Sequence, residues 1–271
     1  MYFWAEESEI PSNVGYELLG SAHLTVLAVL LILIAAEAVL CYRCSYKTRR
    51  RMLLCLSVTL PVLEAIKICF LIRIGHMGVG YLPLHLCSMS IYLYPVIAFA
   101  GNDMLRKVLS EISVCTLMPA AVAALIFPDW TMYPMFSFMN IYAFVWHALQ
   151  VLIPVLYLIC GIAKPSVRHI WWNTLFLLAT GGMIYCVDRV FSCNYWFLLW
   201  PVPGTPLVPM SELLGGRAYI PALILTATAV NLCMYGALSV LGRCSGRQGG
   251  CGMRGNKEAR KTGGLRNVGD S

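Results

Sequence analysis

Charge is scarce in this chain: Asp, Glu, Lys and Arg make up 12% of its 271 residues, against 59% hydrophobic types. A soluble domain carries about twice that charged share, so a solvated globular fold is excluded. The first 22 residues hold Glu6, Glu7, Glu9 and Glu17 but no Lys or Arg, unlike the basic start of a cleavable secretory signal. The first span is therefore expected to act as its own insertion signal. No repeat of fixed period is visible, no Cys/His spacing suits a zinc site, and no glycine-rich phosphate loop follows a strand. Neither a metal nor a cofactor is expected. The twelve cysteines form no disulfide framework, because most fall inside apolar runs, where a thiol is ordinarily a small hydrophobe.

What is present is a series of apolar runs of membrane-crossing length. Seven spans are expected at 23–41, 52–73, 82–101, 112–127, 138–162, 172–191 and 218–241, the fourth being the shortest. Short loops make sequence neighbours antiparallel neighbours in one all-α, seven-helix transmembrane bundle. Sixteen of the twenty Lys and Arg fall on one face: Arg43, Lys47, Arg49, Arg50 and Arg51, then Arg106 and Lys107, then Lys164 and Arg168, then seven in the tail. This asymmetry predicts an outer or lumenal N-terminus and a cytosolic C-terminus. The net charge of +7 is thus a topology signal with some affinity for anionic lipid, and it does not argue for nucleic acid.

The chain divides into an acidic N-terminal segment (1–21), the membrane domain (22–242) and a Gly-rich basic tail (243–271) expected to be disordered on the cytosolic side. The segment 192–217 is unusual. It carries four prolines, two tryptophans and several large aliphatics, too apolar for a solvated loop, so a re-entrant or flat lid over an outward-facing cavity is expected.

Polar residues inside spans require an explanation. The stretch 81–95, YLPLHLCSMSIYLYP, places His85 and Cys87 near the start of the third span. On a regular helix two residues two apart project about 200° apart, so His85 and Cys87 are expected to face different neighbours, with Pro83 loosening the helix start. At 1.5 Å per residue Cys87 lies roughly 8 Å below the outer boundary and His147 roughly 14 Å. With loose boundaries those depths can match. A thiolate nucleophile and an imidazole base would then meet across the bundle. The blander reading, packing for Cys87 and a backbone hydrogen bond for His147, stands beside it. Glu64 and Lys67, three apart near mid-depth, are expected to neutralise each other and face the interior. Asp188 and Arg189, with Arg73 and Arg217 at similar height, form a loose outer cluster suited to phosphate or to snorkelling. A rhodopsin-type receptor is disfavoured, because the seventh span has no lysine and no NPxxY-like segment.

With these residues in view, the chain resembles the YwaF-type family of integral membrane proteins, whose animal branch is transmembrane protein 164. The resemblance rests on LPLHLC at 82–87, on Tyr133–Pro134 leading to Trp146–His147–Ala148 with Lys164–Pro165 beyond, and on Asn194–Tyr195 followed by Trp196–Phe197–Leu198. It implies a seven-span protein acting as a cysteine-dependent acyltransferase on ether phospholipids. Cys87 would take the nucleophile's place and His147 the base's. Beside what the resemblance implies, His85, Asn194, Tyr195, Glu64, Lys67 and Arg189 are candidates for supporting or substrate-binding roles. Membrane phospholipids would be both acyl donor and lysolipid acceptor. Alternatives are a related lipid hydrolase, a transporter or lipid-binding protein with a polar intramembrane cavity, and a structural membrane protein. The sequence leaves oligomeric state open.

Overall fold

The computed structural model describes residues 2–215 and 218–240. Among these the regular structure is helical throughout. Six helices are long and apolar enough to cross a membrane: α1 (Ser21–Arg43), α2 (Tyr46–Arg73), α4 (Asp103–Ile126), α5 (Phe138–Ile159), α6 (Val167–Phe191) and α8 (Ala218–Val240). Two are shorter, α3 (Cys87–Phe99) and α7 (Leu207–Leu214). The tail after 240 and Arg217, including the expected disorder of 243–271, lie outside the described residues.

Two of the seven expected spans differ. The third, expected from residue 82, is helical only from Cys87. Pro83 lacks an amide hydrogen and restrains its predecessor, so 82–86 stays irregular. The fourth, expected to be shortest, is a full-length helix. It starts at Asp103 under an Asn102 cap, whose Oδ1 accepts the Leu105 amide at 3.0 Å. Its polar first turns hid it from a hydropathy reading.

Inside α4 the chain widens into a π-helical turn at Ser113–Leu117, and all five of its side chains are buried. Such turns insert one extra residue and re-aim side chains inward. Here they feed a polar cluster between α4, α6 and α8. Glu111, fully buried, meets His169 Nδ1 at 3.0 Å and accepts from the Tyr235 hydroxyl at 3.4 Å. Asn173 Nδ2 donates to the Tyr235 oxygen at 2.6 Å. The Thr116 hydroxyl lies 2.5 Å from Asn173 Oδ1 and 3.2 Å from Asn231 Oδ1. This cluster lies at the end of the bundle that carries Arg43, Lys107 and Arg168, the basic end.

The opposite end is covered by the N-terminal segment, which packs down. Trp4 lies against Phe70 and Phe138, Phe138 N–H donates to Phe3 O at 2.8 Å, and Tyr16 N–H to Thr131 O at 3.0 Å. Tyr81 donates its hydroxyl to Glu6. His23 is fully buried and satisfied, accepting from Leu19 N–H at 3.1 Å and donating to Leu125 O at 2.9 Å. α5 runs through the middle of this arrangement and packs on α1, α2 and α4.

Candidate functional site

The segment 79–86, a single 3-10 turn at Val79–Tyr81 followed by irregular chain, satisfies only part of its carbonyls internally, Val79 O from Leu82 N–H and Leu82 O from Leu84 N–H, and in an apolar medium each unpaired one is costly. Side chains from other elements take them up. The Tyr195 hydroxyl donates to Val79 O and Lys67 Nζ to Tyr81 O at 3.0 Å. Tyr92 donates to Pro83 O at 3.3 Å and Trp196 Nε1 to Leu84 O at 2.9 Å. The Cys87 carbonyl receives the Ser90 hydroxyl at 2.8 Å and Gln150 Nε2 at 2.9 Å. The His85 and Leu86 carbonyls accept from Ser88 and Met89 as the first turn of α3 forms. The amides of His85, Leu86 and Cys87 carry no bond of this kind. They are the open donors that every helix start leaves.

This pinned segment forms one wall of two adjoining cavities. The larger, about 480 Å³, is mostly apolar and contains both Cys87 and His147 in its lining. It runs between Ala120, Ala123 and Ala124 of α4 and the start of α7 at Pro206 and Leu207. The smaller, about 230 Å³, reaches Glu7, Tyr81 and Tyr133 under the N-terminal segment. Lys67, His85, Ser88, Asp129 and Trp130 belong to both linings and form the junction. A more polar chamber joined to a mostly apolar one suits an amphiphile, and the larger volume lies in the usual range for ligand sites.

Cys87 is half-buried at the first residue of α3. His147 is half-buried on α5, its ring stacked on Trp130 at 4.9 Å and 14°. Its Nδ1 lies 2.8 Å from Ala143 O. A carbonyl only accepts, so Nδ1 carries the hydrogen and Nε2 keeps its lone pair. No hydrogen bond joins the Cys87 sulfur to His147 in this structure, and the two share a cavity, not a contact.

His85 corrects the geometric expectation. Because 82–86 is not helical, the 200° separation does not apply, and His85 lines the same cavity as Cys87. Its ring meets Tyr195 edge-on at 5.1 Å. Glu64 and Lys67 form an ion pair of 2.7 Å, both buried and both lining the larger cavity. The Tyr142 hydroxyl donates to Glu64 at 2.6 Å. Asn194 is occupied in its own loop, donating to Trp200 O at 2.8 Å and accepting from Leu199 N at 2.9 Å. It therefore organises its own loop and lines neither cavity. Arg189 and Arg73 are exposed and also line neither cavity. Asp188, expected in an arginine cluster, is instead fully buried and accepts the Tyr195 amide at 2.9 Å.

The apolar loop after α6 supplies Tyr195, Trp196, Phe197, Val202, Thr205 and Pro206 to the cavity wall. Trp196 lies over Gly181, where an added Cβ would sit 3.4 Å from its ring. Phe197 is held at φ +55°, a conformation that bulky residues seldom adopt.

Two lining or bridging residues escaped the sequence reading. Asp129, in the loop after α4, is exposed and lines both cavities. Desolvation raises its carboxyl above its ordinary value, and the nearby His85 charge opposes that rise. Its only sequence signal is an acid flanked by Pro128 and Trp130. Gln150, fully buried on α5, carried a clearer signal as a polar residue in a span, three positions from His147.

With helical structure throughout the described residues and six helices long and apolar enough to cross a membrane, this is an integral, multi-pass membrane protein. The TMEM164 family model matches residues 18–235, and the chain belongs to that family. No curated protein matches, and no solved structure matches.

Proposed function

We propose that this protein is a membrane-embedded acyltransferase that moves a fatty acyl chain between phospholipids through a thioester on Cys87. The observation that carries the reading is the shared cavity, with Cys87 and His147 on its apolar walls and Lys67, His85 and Asp129 where it meets the polar chamber. A phospholipid has this same order of parts, with its ester between headgroup and chain. The LPLHLC resemblance and the family membership agree with it.

His147 Nε2 takes the Cys87 thiol proton, and the thiolate attacks the ester carbonyl of the donor. The C–S bond forms and the ester C–O bond breaks. The leaving alkoxide receives the proton from His147. A lysophospholipid hydroxyl, ether-linked lipids included, then gives its proton to His147 and attacks the thioester, releasing the thiolate. The open amides of His85, Leu86 and Cys87 at the start of α3 are the candidate oxyanion donors, in place of Asn194. The loop 192–215 keeps water from the thioester; without that exclusion the same groups would hydrolyse lipid.

In the membrane, 79–86 and α3 together make the third of seven crossings, irregular only where it lines a cavity. The basic end faces the cytosol, which puts the cavity toward the outer or lumenal leaflet. The test uses purified protein in phosphatidylcholine vesicles with added lysophospholipid. Wild type should transfer acyl chains and yield a Cys87 acyl-thioester peptide by mass spectrometry. Undiminished transfer by Cys87→Ser overturns the proposal.

A further inference from the structure

Cys87 and His147 sit on different helices and share no bond, so something else must fix their relative position. The carbonyls before Cys87 are held by Tyr195, Lys67, Tyr92 and Trp196, from the lid, α2 and α3. The tie from α5, the helix that carries His147, is Gln150. It is fully buried, and its Nε2 donates to Cys87 O at 2.9 Å and to Ser90 Oγ at 3.0 Å. Ser90 in turn donates its hydroxyl to the same Cys87 carbonyl at 2.8 Å. On the backbone of the same residue, Gln150 O accepts the Tyr94 hydroxyl at 3.3 Å, a second tie between α3 and α5. Gln150 lies one turn from His147, on an adjacent face.

A carboxamide is an expensive filler for an apolar span. Gln150 is kept there although its Oε1 has no partner among the described residues. Interhelical glue alone would be served by any site along α5. This amide instead meets the backbone of the one cysteine that lines the same cavity as His147.

We infer that Gln150 is a positioning residue that sets Cys87 against His147. The inference rests on the proposed chemistry for its consequence, but not for its first test. That test reads alkylation of Cys87 by N-ethylmaleimide, resolved by peptide mass spectrometry, in the full chain reconstituted into phosphatidylcholine vesicles. Gln150→Met removes both donors at nearly constant volume. At pH 7.5 it should slow Cys87 alkylation about tenfold, as should His147→Ala, through a smaller thiolate fraction. The double variant should be no slower than either single one, because an aligned pair acts as a unit. Gln150→Glu replaces Gln150→Met if the latter does not fold. Its carboxyl can donate one hydrogen bond to Cys87 O when protonated, so alkylation relative to wild type should recover toward pH 6 and fall as pH rises.

Wild-type alkylation in Gln150→Met, no effect of His147→Ala, or multiplying losses in the double variant would each overturn the inference. In the transfer assay, Gln150→Met should lower kcat by on the order of 10²-fold with KM for lysolipid little changed, as expected for a displaced reacting group. Undiminished transfer by Cys87→Ser would remove the acyltransferase reading alone and leave the alkylation result standing.

Discussion

Two buried carboxylates, Glu64 and Glu111, have nearly the same partners and opposite surroundings. Each meets a base, Lys67 at 2.7 Å or His169 at 3.0 Å, and each accepts from a tyrosine hydroxyl, Tyr142 or Tyr235. The Glu111 cluster continues through Asn173 and Thr116 to Asn231 and joins three helices. Neither cavity touches it. The Glu64 cluster forms part of a cavity wall, and its lysine reaches out to hold the irregular segment at Tyr81. A polar group within a membrane span therefore does not by itself mark a site. What separates the two clusters is open space: Glu64 borders a cavity and Glu111 does not.

The comparison can be broken most sharply at the thiols. Cys87→Ser should lower acyl transfer at least ~10³-fold. Cys115→Ser, at a fully buried thiol in the π turn, should leave transfer per folded molecule within about twofold, since packed thiols are inert. Equal losses would erase the distinction between the two regions.

At the carboxylates the two ends should separate by kind of effect. Glu64→Leu strands Lys67 and frees the segment it holds, and transfer should fall about tenfold to hundredfold. Glu111→Leu leaves His169 and Tyr235 unpaired. It should cost about 2 kcal/mol, seen as a Tm in detergent lower by about 5 °C, with the transfer rate of the folded fraction unchanged. A Glu111 variant that folds normally but transfers poorly would link the two regions functionally.

Smaller effects should follow from the lid. Trp196→Phe loses the bond to Leu84 O and should reduce transfer about threefold, while Arg189→Ala, at an exposed site, should do nothing measurable. The N-terminal cover adds a weak pH dependence. Burial would raise the Glu6 carboxyl, but hydrogen bonds from Ser8 and Tyr81 outweigh it and hold it below its ordinary value. Its contribution is therefore present above the unfolded-state value and lost as pH falls through the folded one. Limited proteolysis within 2–20 should accelerate only at acid pH, and Glu6→Gln should remove that dependence.

The hydropathy pattern was sufficient to place most spans, because burial of apolar side chains in lipid is a local property of about 20 residues. It failed where a local cause competed with it. Pro83 delayed α3, and the polar first turns of α4 disguised a full-length helix. The same limit applies to the site. Cys87 and His147 were legible as odd residues in apolar runs, and Gln150 could have been read on the same ground. Asp129 could not, since an acid in a loop is ordinary until the fold sets it where two cavities meet.

The sequence by itself determined a multi-pass, helical membrane protein, and it singled out Cys87 and His147 as polar residues in apolar runs. Only the tertiary structure decided that His85 and Cys87 face one cavity, that Asn194 and Arg189 stand apart from it, and that Glu64 borders it while Glu111 does not. The reason is physical. Periodicity and hydropathy report how each segment meets its solvent. A site depends on which carbonyls of an irregular segment find donors from other helices, and that is settled only when the helices pack.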